Sequence, residues 1–307
     1  MKHNLVILLL LVNLCLSISY DTVAQDYKFS QVFSNPLLIN PAYAGSLGRS
    51  RVSASYRNQF KGEFVTFGAS YDQYIPKLSG GVGLQYISDN FSDIVKQKMI
   101  NGIYAYNMRI FENMYIRPAI NIGLGINKID NGQFMDPLDP LSVDGKKYYF
   151  NAGAGLLFAW KNLVSGISVD HINKPHINTY SDYRLSSKLT VHVNYQIDIK
   201  AHFSLTPGIV FQHQDNSHYF LPSLMAKIWY FKVGLASSSQ IDDLGYPIGM
   251  IGFENKWMSL GYSYDYWGMN SLRYSDSPRG IHEITAAFNL NFTKNKEENR
   301  ITPFGGF

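Results

Sequence analysis

The chain is short of charge, nearly without cysteine, and lacks any long apolar run beyond its first twenty residues. Only 16% of its 307 residues are charged, against about 25% in an ordinary soluble domain. Its single cysteine, Cys15, lies in an apolar N-terminal stretch, so the chain from Gln25 onward has no disulfide and no thiol nucleophile. Past residue 20 no segment approaches the ~18 apolar residues of a spanning helix, which excludes a helical membrane protein. The formal charge of +4 is too small to point to nucleic acid. Disorder is excluded by the opposite balance, because 46% of the residues are hydrophobic. What is abundant is 22 Tyr, 19 Phe and 25 Gly, a composition of strands, turns and amphipathic rings.

The first 24 residues read as a secretory signal. Lys2 and His3 precede an apolar core from Leu5 to Ile18, and Thr22-Val23-Ala24 offers a small-residue cleavage site before Gln25. A lipoprotein signal is not expected, since Leu14 precedes the cysteine and the apolar run continues beyond it.

Downstream the dominant signal is period two. Ile120, Ile122, Leu124 and Ile126 alternate with Asn121, Gly123, Gly125 and Asn127. Leu189, Val191, Val193 and Tyr195 alternate with Thr190, His192 and Asn194, and Ile284, Ala286, Phe288 and Leu290 with Thr285, Ala287 and Asn289. The second face is neutral polar or glycine rather than Lys and Glu, which suits a membrane barrel with aliphatics toward lipid and small polar groups inside. About fourteen such segments follow one another between residues 50 and 292, most reaching the ~9–11 residues that cross a bilayer at a tilt.

Connections alternate in length. Tight ones are expected at Phe111-Glu112-Asn113, Lys161-Asn162, Ile199-Lys200, Tyr230-Phe231 and Asn255-Lys256, and longer polar ones over 129–147, 172–186, 240–246 and 268–280. Short turns on one rim and long loops on the other are the outer-membrane pattern, with the short turns and both termini periplasmic. The expectation is therefore an all-β transmembrane antiparallel barrel of about 14 strands over 50–292, preceded by a signal (1–24) and a periplasmic strap (25–49) and followed by a periplasmic tail (293–307). Unpaired backbone groups cost several kcal/mol in hydrocarbon, so the last strand must pair with the first.

Chemistry is sparse. The eight histidines show no zinc spacing, and they read as solvated lumen or loop side chains. No Ser-His arrangement is legible, the Gly-x-Gly pairs lie inside strands, and the acidic stretch Asp130, Asp136, Asp139, Asp144 lacks the spacing of a defined calcium loop. Neither a catalytic centre nor a metal or cofactor is expected. One polar pair is. If Val52, Ala54 and Tyr56 face lipid, then Ser53, Ser55 and Arg57 face the lumen, and closure brings Arg57 beside Glu283 of the last strand. Glu63 is the alternative partner.

Between signal and first strand stands Asn35-Pro36-Leu37-Leu38-Ile39-Asn40-Pro41-Ala42-Tyr43-Ala44-Gly45, followed by Arg57-Asn58-Gln59. These segments resemble the PorP/SprF family of type IX secretion system membrane proteins, with Phe60 where members often carry Trp. The resemblance implies an outer-membrane barrel needed for export or surface attachment of proteins with a conserved C-terminal domain, gliding adhesins among them. It implies periplasmic ring lipoproteins or peptidoglycan-linked proteins as partners, a secreted adhesin-type substrate, and outer-membrane lipid as solvent. It marks Asn35, Pro36, Asn40, Pro41, Ala42, Tyr43, Ala44, Gly45, Arg57, Asn58 and Gln59 as motif and partner-contact residues. Physically, two Asn-Pro steps hold an extended segment and Gly45 permits a turn. Plugging the barrel, capping it and docking a partner all remain open for this segment. The competing function is a passive porin-like channel.

Overall fold

Strands with one face for lipid must find a partner on both edges, and here the sheet finds it by closing. The computed structural model describes residues 26–92, 94–130, 145–178, 184–240, 243–266 and 280–290. Among them, sixteen strand segments form one antiparallel sheet: β1 (Ser50–Gln59), β2 (Phe64–Ile75), β3 (Gly80–Phe91), β4 (Val95–Tyr106), β5 (Met108–Phe111), β6 (Met114–Ile129), β7 (Gly145–Trp160), β8 (Leu163–Asp170), β9 (Lys188–Tyr195), β10 (Ile197–Lys200), β11 (Phe203–Gln214), β12 (Ser217–Ile228), β13 (Phe231–Gln240), β14 (Asp243–Glu254), β15 (Met258–Asp265) and β16 (Ile281–Leu290). β4 and β5 both pair with β6, and β9 and β10 both pair with β11, so each is one stave interrupted at a single residue. The wall therefore has fourteen staves. β1 closes it against β16 from Ser50↔Leu290 to Gln59↔Ile281, which leaves no open edge to hydrocarbon.

The two rims differ. One carries two- to four-residue turns at 76–79, 112–113, 161–162, 201–202, 229–230 and 255–257. Residues in the left-handed region, such as Asn113 (φ 58°) and Lys161 (φ 51°), make these turns tight. The opposite rim carries the long connections between β6 and β7, β8 and β9, and β15 and β16, together with short ones at 60–63, 92–94 and 215–216. Two tight turns fall one or two residues later or earlier than expected, at Ala201-His202 and Trp229-Tyr230. The expected loop over 240–246 is largely ladder: Ser238 pairs with Tyr246 and Gln240 with Asp243, across a register shift that the positive φ of Gly245 accommodates.

The outward face is apolar. Ile120, Ile122, Leu124, Phe150, Leu235 and Ile251 are all more than half exposed. Trp160, Trp229, Tyr230, Phe231 and Trp257 ring the short-turn rim, where an amphipathic aromatic side chain suits the headgroup level. Among the described residues no helix is long and apolar enough to cross a membrane; the strands do the crossing.

The inward face corrects the sequence reading. Beside the neutral polar set it holds Ile87, Met99, Ile103, Leu157, Val164, Val210, Leu221 and Ile248, all buried. These pack on Phe29, Val32, Leu37, Leu38, Ile39, Ala42 and Tyr43, which lie inside the barrel. The hydrophobic core thus sits in the lumen. A wet channel would forbid this pattern; a lumen filled by its own chain requires it.

Candidate functional site

Fourteen staves spaced ~4.8 Å apart and tilted ~40° enclose a cylinder about 28 Å across at the backbone, far wider than the eight-strand barrels that side chains alone can fill. Residues 26–49 occupy that space. Nearly every residue from Asp26 to Ser46 is buried. Of the three placements left open for this segment, it takes the one within the wall, as a plug rather than an outside strap. It starts at the long-loop rim, descends the lumen and enters β1 at the short-turn rim.

Each stretch of the plug has its own berth. At the top, the Asp26 carboxylate lies 2.8 Å from His171 Nε2 and 3.2 Å from Lys188 Nζ, while its amide donates to Gln214 Oε1 at 2.9 Å. His171 also meets Asn151 Oδ1 at 2.6 Å. Lower down, the amides of Ser30 and Gln31 both donate to the Glu283 carboxylate, at 2.8 and 2.9 Å. Arg57 closes this cluster. Its Nη1 lies 2.9 Å from Glu283 and its Nη2 2.7 Å from Asp265. Ser30 Oγ accepts from Arg57 and donates to Asp265. Glu63, the alternative partner for Arg57, sits exposed at the turn after β1.

The Asn-Pro steps make two short 3-10 turns, Pro36–Leu38 and Pro41–Tyr43. Proline fixes φ for the first helical position of each turn; the preceding asparagine caps the second with its side chain, while the first has no side-chain cap. Asn40 is extended (φ −156°, ψ 120°), and its Oδ1 accepts from the Ala42 amide at 2.9 Å. Its Nδ2 turns outward to the wall, donating to the carbonyls of Leu156 and Ile167 at 3.2 and 3.3 Å. Asn35 Oδ1 accepts from Ser70 at 2.7 Å. Tyr43, wholly buried, stacks on His192 with ring centroids 5.3 Å apart. Arg117 reaches from β6 to the carbonyls of Ala42, at 3.0 Å, and Ala44. Gly45, at φ +66°, donates to Asp72 at 2.8 Å, and Asp72 is held in turn by Arg51 at 2.8 Å. A buried backbone must be satisfied by some partner, and here the plug's own turns serve many of the amides while wall side chains serve others and the carbonyls of Leu37, Ile39, Ala42 and Ala44.

The structure therefore brings together Asn35 to Gly45 in the plug, and Arg57 with Glu283 against its upper part. Asn58 and Gln59 stand apart, half-buried at the end of β1. Sequence reasoning missed Asp26, Ser30, Arg51, Asp72, Arg117, His171, His192 and Asp265. Their signal was parity: Arg51, Asp72, Arg117 and Asp265 occupy inward positions on their strands, and on all of these but β1, which also carries Arg57, the other inward residues are neutral. His171 and His192, expected to be solvated, are buried against the plug. The signal (1–24), the tail (293–307) and all but the first residue of the acidic stretch Asp130 to Asp144 lie outside the described residues. Among the described residues no group of His, Cys, Asp or Glu has the arrangement of a metal site.

Inward glycines explain how the plug fits. A Cβ at Gly81 would stand 1.9 Å from the Ala44 carbonyl oxygen, a contact with backbone that cannot swing away. We expect Gly81→Val to displace the lower plug at a cost of about 1–3 kcal/mol, so trypsin should cut at Lys28 at least fivefold faster while the wall stays folded. Gly249→Ala, where nothing lies within 4 Å, is the matched control. Equal digestion of both variants would mean that the plug does not depend on this approach.

The comparisons agree with this architecture. A family model described as "Type IX secretion system membrane protein PorP/SprF" matches residues 21–288. No curated protein matches the chain in sequence. Among solved structures, the TodX monoaromatic hydrocarbon channel deltaS2 mutant is similar at TM-score 0.51 and 10% identity, over 87% of this chain and 95% of that one. The Ralstonia pickettii toluene transporter TbuX is similar at TM-score 0.49 and 8% identity, over 83% and 93%. Acinetobacter baumannii Omp33 follows at 0.45 and 9%, over 80% and 100%. At such identities the likeness is one of fold alone, an outer-membrane barrel.

Proposed function

This chain belongs to the PorP/SprF family of type IX secretion system membrane proteins and is an outer-membrane barrel, and on that premise we propose that it acts as a plugged, non-enzymatic docking component of the secretion machinery. In this reading it supports export or surface attachment of proteins with a conserved C-terminal domain. Its short-turn rim, where the plug enters β1, faces the periplasm and meets ring lipoproteins or peptidoglycan-linked proteins. The tail 293–307 extends into the same compartment. The long-loop rim faces outward, toward the secreted adhesin-type substrate.

One observation carries the proposal: the segment bearing the family motif is built into the lumen and hydrogen-bonded to its wall at intervals from Asn35 to Gly45. A passive channel gains nothing from Ser168 holding the Ile39 carbonyl at 2.6 Å or Gln85 holding that of Leu37 at 2.8 Å. A docking protein gains a rigid frame. The test is site-specific photo-crosslinking in cells from Lys77, Lys161 and Lys200 on the short-turn rim, against Lys61 and Ser92 on the other. Periplasmic proteins of the secretion machinery should be trapped from the first set, and exported proteins from the second set alone. Trapping of neither class from any position would dismiss the docking reading.

A further inference from the structure

Proline has no N–H to give a ladder, so its place in a lipid-facing wall decides where that wall is weak. Four strands carry one: Pro118 on β6, Pro207 on β11, Pro222 on β12 and Pro247 on β14. Pro118 and Pro207 lie near the short-turn ends of their strands, and the staves opposite break at Asn107 and Gln196, close to water. Pro247 turns its ring nitrogen to the long-loop end of β15, and its carbonyl accepts from the Tyr266 amide at 3.0 Å. Pro222 is different. It stands in the middle of β12, with Leu224 and Leu235 exposed to lipid beside it.

Two backbone bonds fix which way Pro222 faces. The Trp229 amide donates to His202 and the Glu254 amide to Tyr230, so even residues of β12 and odd residues of β13 serve each other across their joint. Pro222 therefore faces Ser237, and on that edge the Ser237 carbonyl meets a proline ring where the ladder would supply a donor. The pairing stops at Phe220↔Ser239 and resumes at Ser223↔Ala236. The joint between β6 and β7, by contrast, runs unbroken from Met114↔Trp160 to Ile129↔Gly145. The other edge of the same segment is irregular as well, with the register shift between Ser238 and Gln240 against β14.

Inside, the joint leans on the plug. Leu221, wholly buried, belongs to the core that the plug completes. Tyr219 of β12 hydrogen-bonds Ser238 of β13 across the joint. The Lys28 ammonium of the plug lies over the Tyr219 ring, 5.0 Å from its centroid. Each backbone group left unpaired in hydrocarbon is costly, so a wall parts where the fewest such bonds are lost. We propose that the joint between β12 and β13 is a lateral seam, latched from within by Lys28 and Tyr219, which parts toward the lipid when the upper plug loosens. The missing rung at Pro222 sets its place, and the plug sets its state.

The test uses the full chain carrying Cys15→Ser in lipid nanodiscs, with pyrene maleimide dissolved in the lipid. Leu221→Cys should react at least fivefold faster than Leu157→Cys, an equally buried inward residue of β7. Lys28→Gln should speed the first reaction at least threefold and leave the second unchanged. Hydrogen exchange gives an independent reading without cysteines. Amides of residues 236–239 should exchange at least tenfold faster than those of 120–124 on β6. Pro222→Ala, which restores the donor facing Ser237, should slow them at least fivefold. Equal labelling of the two cysteines, or exchange at 236–239 as slow as on β6, would overturn the seam. Exchange indifferent to Pro222→Ala would overturn its cause, and labelling indifferent to Lys28→Gln would overturn the latch.

Discussion

Excising Tyr27–Tyr43 and joining Asp26 to Ala44 is expected to convert a silent barrel into a conducting one. In planar bilayers the intact chain should give no sustained current, and the excised chain should give stable steps. The reasoning is one of volume. A backbone cylinder about 28 Å across, less about 6 Å of side chain from each wall, leaves an opening of roughly 15 Å that only the plug closes. With the plug gone, the exposed lining would be mixed: Asn101, Asn121, Thr190 and Asn194 beside Leu157, Val164 and Leu221. Water and ions tolerate the first group, and the second should make the current noisy. A synthetic peptide of residues 26–46 should restore silence. If the intact chain conducts as the excised one does, the plug is not the occluding element and the channel reading returns.

The cylinder itself was legible because lipid imposes a strict rule. Every stave that crosses must alternate, and the run Ile120, Ile122, Leu124, Ile126 shows it without ambiguity. Closure followed from hydrogen bonding in hydrocarbon, and it brought Arg57 opposite Glu283 in the register of β1 and β16. The contents of the lumen were harder. The segment from Asp26 to Gly45 has no period, and its proline and asparagine steps are equally at home in a cap, a strap or a plug. What selects the plug is spread over partners 27 to 253 residues away: Asp72, Gly81, Arg117, Gly155, His171, His192, Asp265 and Glu283. No local pattern can register such contacts. Inward Ile103 and Leu157 broke the alternation because a packed lumen rewards apolar burial that a wet one would punish.

Arg57→Met should be the most damaging single substitution in the wall, and the cause is what it leaves behind. Arg57 is the cation between two carboxylates, Asp265 and Glu283, with side-chain exposures of 6%, 3% and 0%. Removing one partner of a buried pair strands the other and typically costs about 3–5 kcal/mol. Here two are stranded, although the Ser30 and Gln31 amides still serve Glu283. The expected result is a lower transition in urea or heat, read by loss of the compact band in electrophoresis, with the plug cut at Lys28 before the wall unfolds. Glu283→Gln should cost less, about 1–3 kcal/mol, because a neutral amide keeps an acceptor for one of the two plug amides. The decisive variant combines Arg57→Met, Asp265→Asn and Glu283→Gln. If stranded charge is the cause, the triple variant should recover at least half of the loss, since no ion then remains buried without a counterpart. If the loss came only from the missing methylene packing and hydrogen bonds of arginine, the triple variant would be worse than Arg57→Met alone. That difference in sign separates an electrostatic clamp on the plug from a merely well-packed side chain.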